Sequence, residues 1–251
     1  MTASNSPAST GVKSLLISLC LLTACSGTTH VAPGHAPPAV APDITLRDLS
    51  RSDTLRFRLE RDGETFVRVG LSHTKEMHLL GVRDDLTQFV HLHPERNEQG
   101  EWVIPFAASQ PGSYRFYADF VTWQDEAYTL RFDRVYGAVE SQKNVINWQP
   151  EVTTKTTGNF QVRLEKSETR DNVMYRYIMT TLQGNSVTAE PYLGALGHSV
   201  LLTEDGGYIH AHALDTEATP TFIVSPKPTV PMRAFTQVQV EGAVQTFWFD
   251  V

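Results

Sequence analysis

The sequence predicts an all-β chain made of two tandem antiparallel domains, and three observations predict it. Apolar and polar residues alternate in short runs such as Leu55-Arg56-Phe57-Arg58-Leu59, Thr65-Phe66-Val67-Arg68-Val69 and Tyr114-Arg115-Phe116-Tyr117-Ala118, the period of half-buried strands. Turn clusters separate these runs, among them Asp62-Gly63, Pro111-Gly112 and Asp205-Gly206-Gly207, and no segment carries a helical 3.6 period. The chain also repeats itself. Short strands between regular turns fit a sandwich or a barrel.

The repeat can be followed residue by residue. Phe57-Arg58-Leu59-Glu60 returns as Val162-Arg163-Leu164-Glu165, and Met77-His78-Leu79-Leu80 as Gly197-His198-Ser199-Val200. Phe89-Val90-His91-Leu92-His93 returns as Tyr208-Ile209-His210-Ala211-His212, and Arg115 to Asp119 as Arg233 to Gln237. Ordered matches with a slowly drifting offset imply two related domains, placed at 43–145 and 150–251. The boundary falls near the polar stretch from Ser141 to Pro150.

Residues 1–24 read as a processing segment. A single cation, Lys13, precedes an apolar run from Leu15 to Leu22, and Leu22-Thr23-Ala24-Cys25 follows. The run is too short to span a bilayer, which takes about 20 apolar residues. This box resembles the bacterial lipoprotein signal, in which a peptidase cuts before the cysteine and the thiol is acylated. The resemblance implies an exported protein anchored to a membrane by a lipid on Cys25, at an outer membrane, cell surface or periplasmic face; the alternative is a plain secretory signal. Ser26 to Pro42, rich in Pro, Ala, Gly and Thr, is expected to be a flexible tether completing segment 25–42. The chain has two cysteines. Removing Cys20 and acylating Cys25 leaves the folded part without a free thiol, so soft-metal chemistry there falls to histidine.

The net charge of −7 and pI near 5.7 come without any run of Lys or Arg, which argues against a nucleic-acid partner. Six of the nine histidines sit in the repeated segments, and their geometry follows from strand pairing. If Arg83 pairs with Gln88 across the loop Asp84-Asp85-Leu86-Thr87, His78 lies opposite His93, with His91 two residues along on the same face. Opposed Cβ atoms in an antiparallel pair lie about 4.5–5.5 Å apart, so three imidazoles converge. The second copy is one residue shorter, a slip that would turn His198 away from its partners. Glu204-Asp205-Gly206 corrects for this as a three-residue hairpin with Gly left-handed, which puts His198 opposite His212 and beside His210.

Three neutral imidazoles on an apolar face suit copper, zinc or nickel better than magnesium or calcium. Asp119 is the expected fourth ligand in the first copy. Its equivalent is Gln237, so the second site is expected to be weaker or differently charged. Met77 alternates to the opposite face from His78 and is not counted, and His30, His35 and His73 are taken as incidental. Asp84 and Asp85 read as turn formers. Tyr114, Phe116, Trp123, Phe132, Phe247 and Trp248 are expected in the cores. The Gly-rich approach Pro191 to Gly197 either passes close to the second site or bends the strand.

The stretches Met77-His78-Leu79-Leu80, His91-Leu92-His93-Pro94-Glu95, Pro111-Gly112-Ser113-Tyr114-Arg115 and Tyr192 to His198 through His210-Ala211-His212 resemble a group of secreted bacterial proteins with cupredoxin-like or immunoglobulin-like sandwiches. The resemblance implies two tandem β-sandwiches and an association with copper or heavy-metal handling. The blue-copper pattern is absent, since no cysteine ligand remains. Three functional readings follow. The first is a lipid-anchored protein that binds a transition metal, copper before zinc, through one triad per domain, for sequestration or for delivery to a partner protein. The second is a structural or interaction module with hydrogen-bonding histidines. The third, ranked lowest, is a cupin-like metal-dependent oxygenase, since His91-x-His93 with Glu98 and His210-x-His212 with Glu217 only superficially match the first cupin motif.

Overall fold

The computed structural model describes residues 43–138, 145–214 and 219–251. Cys20, Cys25, His30, His35, the tether and Glu217 lie outside the described residues. The first domain contributes β1 (Ile44–Asp48), β2 (Thr54–Arg61), β3 (Glu64–Thr65), β4 (His78–Arg83), β5 (Phe89–Leu92), β6 (Glu95–Arg96), β7 (Trp102–Pro105), β8 (Gly112–Val121) and β9 (Ala127–Tyr136). The second contributes β10 (Thr154–Thr157), β11 (Phe160–Glu168), β12 (Val173–Thr181), β13 (His198–Leu202), β14 (Tyr208–His212), β15 (Thr221–Val224), β16 (Arg233–Val240) and β17 (Ala243–Asp250). Each domain is a sandwich of two antiparallel sheets. The orders are β1-β2-β7-β6, with β3 beside β2, against β5-β4-β8-β9, and β10-β11-β12-β15 against β14-β13-β16-β17.

Alternation places the cores. In β2, Leu55, Phe57 and Leu59 turn inward to meet Leu79, Trp102 and Phe116. In β11 and β12, Val162, Tyr175 and Tyr177 meet Leu201, Phe222 and Phe249. Trp123 departs from expectation: it is 66 % exposed. It sits in the turn after β8, where its indole N–H donates to the Val69 carbonyl at 2.9 Å, so a backbone bond rather than core burial fixes it. Met77 is buried in the first core, on the face opposite His78.

The sheets β5-β4-β8-β9 and β14-β13-β16-β17 are covered on both sides. Their inner faces close the two domain cores, and their outer faces meet in a third cluster of Leu80, Val82, Tyr117, Val200, Tyr208 and Phe235. Burial from both sides explains why β4 and β13, His-Leu-Leu-Gly-Val and His-Ser-Val-Leu-Leu, show no alternation. Both domains belong to one compact unit.

The contacts across this interface come in equivalent pairs. Tyr117 stacks on Tyr208 and Phe235 on Phe89, each with centroids 4.7 Å apart. Arg115 Nη1 donates to the Glu204 carbonyl at 2.9 Å, and Arg233 Nη1 to the Leu86 carbonyl at 2.9 Å. Each arginine therefore caps the loop of the other domain's histidine hairpin. Arg233 is also bound by Asp250 at 2.7 and 3.0 Å, with both side chains buried. Corresponding residues exchange roles between the domains, as in a pseudo-two-fold dimer.

Candidate metal centre

Both hairpins take the expected register. Arg83 N–H donates to Gln88 O at 3.0 Å, and β4 pairs with β5 from Leu79↔Leu92 to Val82↔Phe89, which carries His78 opposite His93. In the second domain His198 pairs with His212 directly. There Thr203 N–H donates to Gly207 O at 3.0 Å and Gly206 takes φ +96°, so the three-residue loop performs the correction. Asp85 holds the first loop by accepting from Thr87 N–H and Oγ1 at 3.1 and 2.7 Å.

The result is two clusters, His78/His91/His93 and His198/His210/His212, in each of which one nitrogen per ring lies within 4.8 Å of the others. Each can hold a metal ion. His78 and His198 are 2 % exposed and His210 is 5 % exposed. Burial, first of all, pushes the basicity of His78 and His198 down. The His93 pKa falls to about 4 and that of His198 to about 3. His78 is lowered by burial against the opposing pull of the Ser72 carbonyl and Asp119. His91 and His212 are driven down by burial and then by the surrounding imidazoles. These five rings are therefore neutral, which a metal ligand requires.

The outer contacts select the nitrogen that each ring turns inward. His78 Nε2 lies 3.0 Å from Ser72 O, and His198 Nε2 lies 3.0 Å from Tyr192 O. A carbonyl can only accept, so both Nε2 atoms carry the proton and both Nδ1 atoms present a lone pair. His91 Nδ1 lies 2.9 Å from Gln237 Oε1, and His210 Nδ1 lies 2.6 Å from Asp119 Oδ2. Those Nδ1 atoms donate, which turns the Nε2 lone pairs inward. The same pattern thus occurs in both domains. Carboxylate or carbonyl partners on the outer nitrogen are the arrangement that orients metal-bound histidines.

The Asp119 and Gln237 positions differ from the sequence reading. Asp119 is opposite His78 in the β4–β8 register, which is why it was expected to serve the first triad. The face that carries both is pressed against the second domain, and the carboxylate reaches across to His210, with Tyr208 Oη donating to the same oxygen at 3.1 Å. Gln237, opposite His198, reaches back to His91. Each supports the other domain's triad as an outer partner, so the charged residue belongs to the second site and the neutral one to the first.

His73 was read as incidental and is not. Its ring stacks on His212 with centroids 3.5 Å apart and packs edge-on against His198 at 5.7 Å. It comes from the turn Ser72–Lys75 of the first domain, the counterpart of Tyr192–Ala195. The repeat could not reveal it, because its equivalent is Leu193; both residues take positive φ. The Pro191–Gly197 approach does pass close to the second site, since it supplies the Tyr192 carbonyl.

A family model described as a domain of unknown function (DUF8832) matches residues 43–136 and again 154–251. The chain belongs to this family. The family domain thus occurs twice, and each copy carries one histidine triad. No curated protein matches the chain in sequence. Among solved structures, Bacteroides uniformis beta-glucuronidase 3 is 10 % identical with a TM-score of 0.24, over 84 % of this chain and 25 % of that one. A two-domain fibronectin type III segment of chicken tenascin is 9 % identical with a TM-score of 0.23, over 84 % and 99 %. The surface layer protein SbsC is 13 % identical with a TM-score of 0.22, over 82 % and 30 %. This chain spans about a quarter of the length of the glucuronidase, and scores this low carry no functional argument.

Proposed function

We propose that the protein binds transition-metal ions, copper before zinc, through His78, His91 and His93 in one domain and His198, His210 and His212 in the other. Its role is sequestration or delivery outside the cytoplasm, from a membrane anchor at Cys25. The observation that carries the reading is a proton conflict. His78 Nδ1 and His91 Nε2 lie 3.0 Å apart. His78 already donates to Ser72 O, so His91 would have to donate to it, and His91 also faces the Gln237 carbonyl oxygen. With the Gln237 oxygen, rather than its amide nitrogen, turned to His91, both donations together require an imidazolium, in a place where burial and neighbouring imidazoles oppose the charge. A metal ion between the two nitrogens removes the conflict, because both then supply lone pairs.

Buried ring nitrogens point the same way. Among the described residues, His93 Nε2, His198 Nδ1 and both nitrogens of His212 have no hydrogen-bond partner. Each such group costs about 1–3 kcal/mol when left unpaired, which weighs against purely structural histidines. An all-imidazole donor set suits copper, and the stability order of divalent ions peaks at Cu(II). The cavity lined by His78, His210 and His212 holds about 80 Å³, room for a small ligand, and a more open cavity of about 460 Å³ reaches His93.

Metal analysis of the desalted protein after incubation with Cu(II) or Zn(II) is the test. Stoichiometric uptake, abolished by His78→Ala with His198→Ala while circular dichroism is unchanged, supports the proposal. Absence of uptake together with an unmoved melting temperature refutes it. The anchor is tested by lipid labelling, which Cys25→Ser should abolish.

A further inference from the structure

The two triads are not separate sites at opposite ends of a two-domain rod. His78 lies 5.6 Å from His210 and 6.1 Å from His198, centroid to centroid, and His91 lies 5.9 and 5.8 Å from the same two rings. Neighbours within a triad are only somewhat closer, at 4.5–5.2 Å, and His198–His210 at 6.0 Å is as far apart as rings of different triads. Rings of the two triads are therefore near enough to face one common space. The outer partners cross between domains, Gln237 to His91 and Asp119 to His210. One small cavity is lined by His78 from the first triad and by His210, His212 and Asp119.

We propose that the two triads form one dinuclear centre on the domain interface, with two metal ions sharing a small bridging oxygen ligand, such as hydroxide formed by loss of a proton from water. The proposal rests on the metal-binding reading above. Six neutral imidazoles leave two divalent ions to repel each other in a low-dielectric interface. Asp119, itself an outer partner, supplies a single negative charge, so a bridging anion offsets a further part of the repulsion, and the cavity is of the size for it. Each triad keeps three protein ligands and an open position, the pattern of ion sites that take an exogenous ligand. Because the outer partners are exchanged, filling one triad also fixes a residue of the other domain, so occupancy of the two sites is coupled through the interface.

Titration of the full chain with Cu(II), followed by metal analysis and electron paramagnetic resonance, decides the matter. Expected is uptake of two ions per chain with a half-field transition, or with a resonance intensity well below that of two isolated spins. His198→Ala should bind a single ion and return the full one-spin signal. Two ions with full two-spin intensity and no half-field line would overturn the dinuclear centre while leaving metal binding intact. A stoichiometry of one would do the same, assigning a single ion to rings drawn from both domains. Failure to bind any copper or zinc would overturn both readings.

Discussion

The exchanged outer partners make the two sites unequal in a direction that can be measured. The Asp119 carboxylate accepts from His210 Nδ1 at 2.6 Å, whereas the neutral Gln237 oxygen makes the equivalent contact to His91 at 2.9 Å. A carboxylate raises the basicity of the imidazole that it holds and stabilises the positive charge of a bound ion; an amide does so much less. Asp119→Asn retains an acceptor of the same shape, so it reads the charge rather than the packing. The Asp119 side chain is 16 % exposed, so solvent screens only part of the effect. Loss of such an outer partner costs about 10–100-fold in metal affinity, or roughly 1.4–2.8 kcal/mol. The assay is competition with chelators of graded affinity, in a His78→Ala background to isolate the second triad and a His198→Ala background to isolate the first. Asp119→Asn should weaken the second triad by one to two orders of magnitude and the first by a smaller factor, since Asp119 also acts on His78 through space. Gln237→Glu should strengthen the first. Equal losses at both triads, or a larger loss at the first, would refute the exchange.

Three further expectations follow from the same structure. Arg233→Met takes the counter-charge from the buried Asp250 carboxylate, which keeps the Gln149 N–H, and removes donors from the Leu86 and Asn147 carbonyls; it should cost about 3–5 kcal/mol in denaturant unfolding, and a loss under 1 kcal/mol would contradict the burial assigned to the pair. In the metal-free protein the folded pKa values of His198 and His93, about 3 and about 4, lie below the ordinary 6.5. The unfolded chain therefore takes up protons first, and the stability present above pH 6.5 should be lost on acidification towards pH 3, by about 1.4 kcal/mol per pH unit for a fully buried histidine such as His198 and by less for the more open His93. Denaturant titrations that are flat between pH 6.5 and 5 would contradict this. His73→Ala uncovers the face of His212, and an aromatic contact worth about 0.5–1.5 kcal/mol translates into metal release to a chelator roughly two- to tenfold faster from the second triad, with the first unchanged.

The fold and the triads were legible because they depend on local rules. Alternation in β2 and β8 names the inner face, and loop length with a left-handed Gly206 sets the register that returns His198 to His212. What lay beyond local rules was the packing of one domain on the other. It left a trace in β4 and β13, whose residues are apolar on both faces, as a strand covered twice must be. That trace shows that a second layer exists without showing what supplies it. The destinations of Asp119 and Gln237 depend on that layer, so pairing Asp119 with its own triad followed from strand register and failed on tertiary contact. His73 escaped for a different reason, since a repeat displays what the copies share and His73 faces Leu193. Trp123 shows the limit of composition: a large aromatic is expected in the core, yet hydrogen bonds from its indole to the Val69 carbonyl and from its backbone N–H to the Arg68 carbonyl hold it at the surface.

The pseudo-two-fold relation explains how so many histidines can be buried together. A single domain that buried three neutral imidazoles on its outer face would leave their inner nitrogens to water and gain little. Placing two such faces together removes both from solvent at once. Around them, Leu80, Val82, Val200 and Leu202, each about 1 % exposed, contribute about 1.5–3 kcal/mol apiece to offset the desolvation of the rings. The stacked pairs Tyr117–Tyr208 and Phe235–Phe89 fix the relative position of the faces, and the two arginines bind the opposite hairpin loops. Since equivalent residues perform equivalent contacts, a geometry that suits one triad suits the other. Asymmetry then enters only where the copies have diverged, at Asp119 against Gln237 and at His73 against Leu193. Both divergences act on the second triad, one adding charge behind His210 and the other covering His212. The duplicated fold therefore supplies the common triad geometry, and under the proposed metal binding these two substitutions should give the second triad a stronger hold and a slower exit.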